Sequence, residues 1–225
     1  MRRVGIAVGC LILLAQAFGT APGIAGSPPK CFGEEATIVR GDGDNVITGT
    51  PNRDVIVSRG GNDAIAGLQG GDRICAGPGS DDVDAGSGND KVKGGAGSDA
   101  DDGLLGGNGS DTILGGPGLD YLFAQNLPEA KDIIDADGNL LLGGDGADLI
   151  SSAEGDDTAR GGASGDSLNA GLGIDQLFGN GGDDEVDVQD GSGEDLAHGG
   201  TEVKADRCGT DFNDDRLDCE AQDEG

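Results

Sequence analysis

The chain has 225 residues, of which 47 are Gly and 7 are Pro, and its 43 Asp plus Glu against 14 Lys plus Arg give a formal net charge of −29. Aromatics make up only 3% and Trp is absent, which excludes an ordinary domain built around one wide core of large side chains. The acidity excludes nucleic acid as a partner, since phosphate binding needs a basic surface. Two classes remain, a solvated low-complexity polymer or a structure whose charge is neutralised by bound cations, and periodicity decides between them.

Residues 1–26 read as a signal peptide: Arg2 and Arg3 precede an apolar run from Val4 to Phe18, and a small-residue region places cleavage near Ala25 or Gly26. A retained anchor is disfavoured, because the run is short for a bilayer and no basic stop-transfer cluster follows. The expectation is a secreted, extracellular chain; losing Arg2 and Arg3 takes its charge to −31. Residues 27–39 form an N-terminal cap, with a first strand expected over 36–39.

From Arg40 the chain falls into nines: RGDGDNVIT, GTPNRDVIV, SRGGNDAIA, GLQGGDRIC, AGPGSDDVD, AGSGNDKVK, GGAGSDADD and, after the three residues Gly103 to Leu105, GGNGSDTIL and GGPGLDYLF. This first block spans 40–123. Residues 124–142 interrupt the array and read as a degenerate rung or a loop: LPEAKDIID (127–135) can be forced into phase with Asp132 at position 6 and Ile134 at position 8 but lacks every glycine, and ADGNLLL then runs short. A second block, 143–198, runs GGDGADLIS, SAEGDDTAR, GGASGDSLN, AGLGIDQLF, GNGGDDEVD and, after a two-residue slip, DGSGEDLAH. Of these 15 units, position 6 is Asp in all but one (Asn45), position 4 is Gly except at Asn52 and Ser164, and position 8 is apolar except at Asp101. Composition cannot produce such phasing, so the disordered polymer is excluded in favour of a repeat architecture. Residues 199–225 form an acidic C-terminal cap, within which 206–214 echoes the repeat with polar Asn213 at position 8; solenoids need atypical polar end units.

Gly at positions 1, 2 and 4 permits positive φ and close approach of neighbouring turns. Position 6 places a carboxylate at the end of the turn, and positions 7 to 9 make a short strand whose middle residue points inward. Two nonads then close one coil, with coils stacked about 4.8 Å apart. The fold class is all-β, and the core needs only Ile, Val and Leu.

The tandem GGxGxDxUx pattern (U apolar) resembles the RTX, or hemolysin-type, calcium-binding repeat family over 40–123 and 143–198. That resemblance implies a parallel β-roll, a right-handed β-solenoid with two nonapeptides per coil, binding multiple Ca²⁺ ions in the turns between coils. Carried onto this sequence, the position-6 ligands are Asp54, Asp63, Asp72, Asp81, Asp90, Asp99, Asp111 and Asp120, then Asp148, Asp157, Asp166, Asp175, Asp184 and Asp195. Asn45 is a weaker ligand, with oxygen but no charge. Eighteen residues per coil stack Asp54, Asp72 and Asp90 along one edge and Asp63, Asp81 and Asp99 along the other. Stacked carboxylates repel unless a cation lies between them, and an all-oxygen environment suits Ca²⁺ better than Mg²⁺ or a transition metal. An EF-hand at Asp211, Asn213 and Asp215 fails, because Arg216 stands where the loop needs Gly and Gln222 where it needs Glu.

The mature cysteines are Cys31, Cys75, Cys208 and Cys219, an even number that in an exported chain indicates two disulfides. Because the terminal pairs lie at opposite ends of a rod, Cys31–Cys75 and Cys208–Cys219 are the favoured pairings. The functional expectation is a monomeric calcium-binding structural or cell-surface and matrix module that folds on binding Ca²⁺, with calcium as its partner, no nucleic acid and no membrane insertion. It is not expected to be an enzyme: His198, the lone imidazole, reads as a surface residue without a nucleophile. The alternative is an accessory or catalytic β-solenoid, hydrolase- or protease-associated, with a cleft around 124–142.

Overall fold

The computed structural model describes residues 27–100, 103–124, 138–189, 194–200, 207–209 and 215–217. No helix occurs among them. Successive nonads feed alternate sheets: 46–48, 64–66 and 82–87 enter a nine-stranded parallel sheet, while 55–57, 73–75 and 91–93 enter a ten-stranded one. The result is a β-solenoid of about 8 turns, consistent with a β-roll.

The period-2 alternation of each short strand sends its middle residue inward, and the register stacks those residues in two ladders. One runs Ile47, Ile65, Val83, Leu104, Leu122, Ile150, Leu168, Val186, Cys208. The other runs Ile38, Ile56, Ile74, Val92, Ile113, Leu141, Ala159, Leu177, Ala197. Both ladders fall in a single buried cluster, so the core is one side chain deep from each sheet.

Breaks in the nine-residue count are absorbed without disturbing this register. Leu104, and not Asp101, takes the inward place beside Val83. The three additional residues therefore precede Gly103 rather than beginning there, because an apolar side chain is the one that can be buried in the ladder. The stretch 124–142 contains a regular rung: Leu140–Asp145 is a strand with Leu141 inward, and 125–137, including Asp132, lie outside the described residues. At the far end Cys208 holds the inward place beside Val186; Asn213, expected inward, lies outside the described residues.

The N-terminal cap is a small antiparallel hairpin, Lys30–Cys31 against Glu34–Glu35, and the first strand of the roll is Ile38–Val39. The hairpin folds onto the outer face of the ten-stranded sheet. Cys31 packs against Val55 and Val57 and is bonded to Cys75, while Glu34 pairs with Arg53 and, at 2.9 Å, with Arg73. The expected Cys31–Cys75 bridge is thus present. Cys208 is also disulfide-bonded, but Cys219 lies outside the described residues.

Truncating a ladder residue removes transfer energy and opens a void that neighbouring coils cannot close. Leu122→Ala should cost about 2–5 kcal/mol in urea denaturation of the calcium-bound chain, whereas Leu119→Ala, at a half-exposed turn position, should stay within about 0.5 kcal/mol.

Candidate metal centre

The position-6 side chains form two columns, one along each edge of the roll. Every member from Asp54 onward, including the described Asn139, is 5% exposed or less. The columns are tied by one repeated bond: the backbone N–H of each position-6 residue donates to Oδ1 of the position-6 residue one coil on. On one edge Asp54 donates to Asp72 at 2.7 Å, Asp72 to Asp90 at 2.6 Å and Asp90 to Asp111 at 2.8 Å. The chain continues through Asn139, Asp157, Asp175 and Asp195. On the other edge Asn45, Asp63, Asp81, Asp99, Asp120, Asp148, Asp166 and Asp184 are linked in the same way. The two edges expected from eighteen-residue spacing are therefore the two edges observed.

The second carboxylate oxygen is differently placed. Oδ2 of Asp63, Asp72, Asp81, Asp90, Asp120, Asp148 and Asp166 is buried and meets no hydrogen-bond donor among the described residues. Each position-1 glycine explains how that oxygen is accommodated. A Cβ on Gly67 would lie 2.8 Å from Asp72 Oδ2 and 2.3 Å from the Ala85 carbonyl; on Gly143 it would lie 2.3 Å from Asp148 Oδ2 and 2.6 Å from the Gly161 carbonyl. Position 1 is thus kept small for space, as Gly67 and Gly143 or as Ser58, Ala76 and Ala85, and within the units positive φ falls at positions 2 and 4, with Gly103 the exception. At position 4, the carbonyls of Gly61 and Gly79 press against the glycine one coil on, where a Cβ would meet them at 1.9 and 1.8 Å, and among the described residues no backbone donor reaches either oxygen.

Buried carboxylate oxygens and these position-4 carbonyl oxygens, neither met by a donor among the described residues, offer hard ligands of oxygen alone. Such a set fits a hard divalent cation. Among the described residues no three acidic, His or Cys side chains converge, so carbonyls must supply much of any coordination sphere, as Ca²⁺ permits.

A family model for the RTX calcium-binding nonapeptide repeat matches residues 40–74, 76–100, 97–126, 133–168 and 160–194. The chain belongs to that family. No curated protein matches it. The RTX match covers Asn139, which reasoning from sequence missed because 134–142 has no glycine at positions 1, 2 or 4; counting back nine from Gly143 would have found it.

The two asparagines show what the columns require. Asn45 Nδ2 donates to the Gly41 carbonyl at 3.1 Å, to the Gly43 carbonyl and to Asp63 Oδ1 at 2.9 Å. Asn139 Nδ2 donates to Asp157 Oδ1 at 3.1 Å. In both, an amide donor stands among oxygens where the aspartates offer none. Asp54 is also served internally, its Oδ2 accepting from the Thr50 N–H at 2.7 Å and hydroxyl at 2.9 Å. His198, outside the columns, leans on Phe178 with ring centroids 5.9 Å apart.

Burial pushes the metal-free carboxyls upward from the ordinary 3.8, to about 7 at Asp81, Asp90 and Asp166 and to about 6 at Asp99 and Asp148. The N–H donated to Oδ1 opposes the rise, and neighbouring carboxylates in the column add to it. Above pH 4 the unfolded chain releases protons that the folded, metal-free chain retains, so folding without metal loses stability as pH climbs through 6 to 7. Circular dichroism in metal-free buffer should therefore show more β-structure near pH 4 than at pH 8. Calcium should remove most of that difference, and a metal-free chain more folded at pH 8 would contradict the account.

Proposed function

We propose that the chain is a secreted calcium-dependent structural module, unfolded until export and folded by Ca²⁺ held in the turns. The observation that carries this reading is the row of buried Oδ2 atoms at Asp63, Asp72, Asp81, Asp90, Asp120, Asp148 and Asp166, which meet no hydrogen-bond donor among the described residues. These residues would hold the ions, with the remaining position-6 aspartates completing the set. Asp54 and Asn45 contribute least: the Thr50 N–H and hydroxyl already donate to Asp54 Oδ2, and the Asn45 side chain has no charge and turns its amide donor onto the Gly41 carbonyl and Asp63 Oδ1. When bound, calcium supplies the positive charge that these oxygens lack.

The chain's own residues do the rest. Backbone N–H groups fix each carboxylate through Oδ1 and leave Oδ2 aimed into the turn. Small residues at position 1 (Gly, Ser58, Ala76 or Ala85) keep that hollow open, and the apolar ladders exclude water from behind it. Because folding creates the sites, ion-binding free energy is folding free energy. A chain of charge −29 with so narrow a core has little else to offset its ordering entropy. The disulfide at Cys31 supports an oxidising compartment and pins the cap before the first coils are loaded. A binding and structural role is favoured over catalysis, since the column carboxylates are buried and bonded to backbone and cannot reach a substrate.

Millimolar CaCl₂ at neutral pH should produce a cooperative gain of β-signal in circular dichroism, and MgCl₂ at equal concentration should not. A chain equally structured in chelator and in calcium, or unstructured in both, would sink the proposal.

A further inference from the structure

Charge is unevenly shared along the roll. Residues 27–75 carry seven acids against five bases, whereas 76–225 carry 36 acids against seven. The repulsion that opposes folding without metal therefore falls almost wholly on the later coils. The N-terminal segment also answers its first carboxylate from within. The Thr37 hydroxyl reaches Asp54 Oδ1 and the Val55 carbonyl, both at 3.3 Å, and accepts from the Val55 N–H at 2.9 Å. With Thr50 donating to Oδ2, Asp54 is served on both oxygens by neutral groups. At the head of the other edge stands the uncharged amide of Asn45.

This end of the roll has a second apolar layer as well. Val55–Val57 is buried at all three positions. Ile56 faces the interior, while Val55 and Val57 lie beneath the hairpin against Cys31, Ala36 and Cys75. The Cys31–Cys75 bridge spans 44 residues of sequence, and Glu34 ties the hairpin to Arg53 and Arg73. A disulfide is what allows so short a segment to hold a core of its own.

We propose that residues 30–75, once their disulfide has formed, fold without calcium into a nucleus on which the acidic coils are added as calcium binds. Asp63 and Asp72 mark its open end. Their Oδ1 atoms accept from the N–H groups of Asn45 and Asp54 within the segment. It is the following coil, 76–93, that lays the Ala85 carbonyl beside the hollow of Asp72 Oδ2 and sets Asp81 and Asp90 over the two aspartates. Before that coil is in place, water reaches both Oδ2 atoms. Once it is in place, a cation has to stand where the water was. The first ion is therefore needed at 76–93, and each later coil repeats the demand. Strands Ala64–Ala66 and Arg73–Cys75 offer the two open sheet edges in register, so later coils extend a formed template and avoid the entropy of starting one.

The nucleus rests on the calcium reading for what is built upon it. Hydrogen exchange on the full, oxidised chain at pH 8, in chelator and in calcium, separates the two. In chelator, slow amides are expected at Val55–Val57 and their neighbours within 36–75, with unfolded-chain rates from Asp81 onward. Calcium should extend protection to later strands such as Leu149–Ser151 and Gln176–Gly181. Cys31→Ser with Cys75→Ser should abolish protection in chelator and shift the calcium midpoint upward, while saturating calcium still gives the full β-signal. Asn45→Asp should weaken protection in chelator and leave it intact in calcium. Fast exchange throughout 36–75 in chelator, in a chain that calcium does fold, overturns the nucleus and leaves the calcium reading standing. An unchanged midpoint in the double-serine variant overturns the part given to the nucleus as a template. Protection along the whole roll in chelator, or none even in calcium, overturns the calcium reading itself.

Discussion

One hydrogen bond governs this molecule: the backbone N–H of a position-6 residue donating to Oδ1 of its counterpart a coil later. It recurs along both edges and fixes the rise from coil to coil. By drawing one oxygen onto the backbone it buries the whole carboxylate, and at Asp63, Asp72, Asp81, Asp90, Asp120, Asp148 and Asp166 the other oxygen lies in a hollow where no donor among the described residues reaches it. Position 1 is then kept small, glycine in units such as those of Gly67 and Gly143 and Ser58, Ala76 or Ala85 in others, because a bulky residue would occupy that hollow. The raised carboxyl affinities for protons and the fitness for a hard cation are two expressions of the same unanswered charge.

Most of the roll was legible because two independent signals share one period. Asp at position 6 locates the edges and the apolar residue at position 8 locates the core, so sheet class, strand length and the two columns follow from counting. Counting failed where residues were inserted, since a fixed frame keeps reading through a break that the fold loops out. Burial is the better guide there. Leu104 was available for the ladder and Asp101 was not, and Leu141 flanked by leucines marked a rung that its missing glycines concealed.

Two features lay beyond the periodic pattern. The hairpin's return over the sheet depends on contacts between residues far apart in sequence, although Val55-Ile56-Val57 carried a trace of it: a strand apolar at all three positions has something to cover on both sides. Asn45 and Asn139 look like defects in an aspartate column. Their geometry shows amides contributing internal donors, so at these places the chain carries part of what the other rungs must obtain from solution.

The alternation of nonads between sheets also bears on how such an array can change length. Either edge would accept any nonad, since both are built from the same turn, and the core would still be filled. Yet losing one whole nonad would transfer every later strand to the opposite sheet, Phe178 and Glu185 among them. Of gains and losses of whole nonads, only even numbers preserve which side of the rod each residue faces. The smallest heritable unit of this protein is accordingly the full coil, twice the motif that its sequence displays.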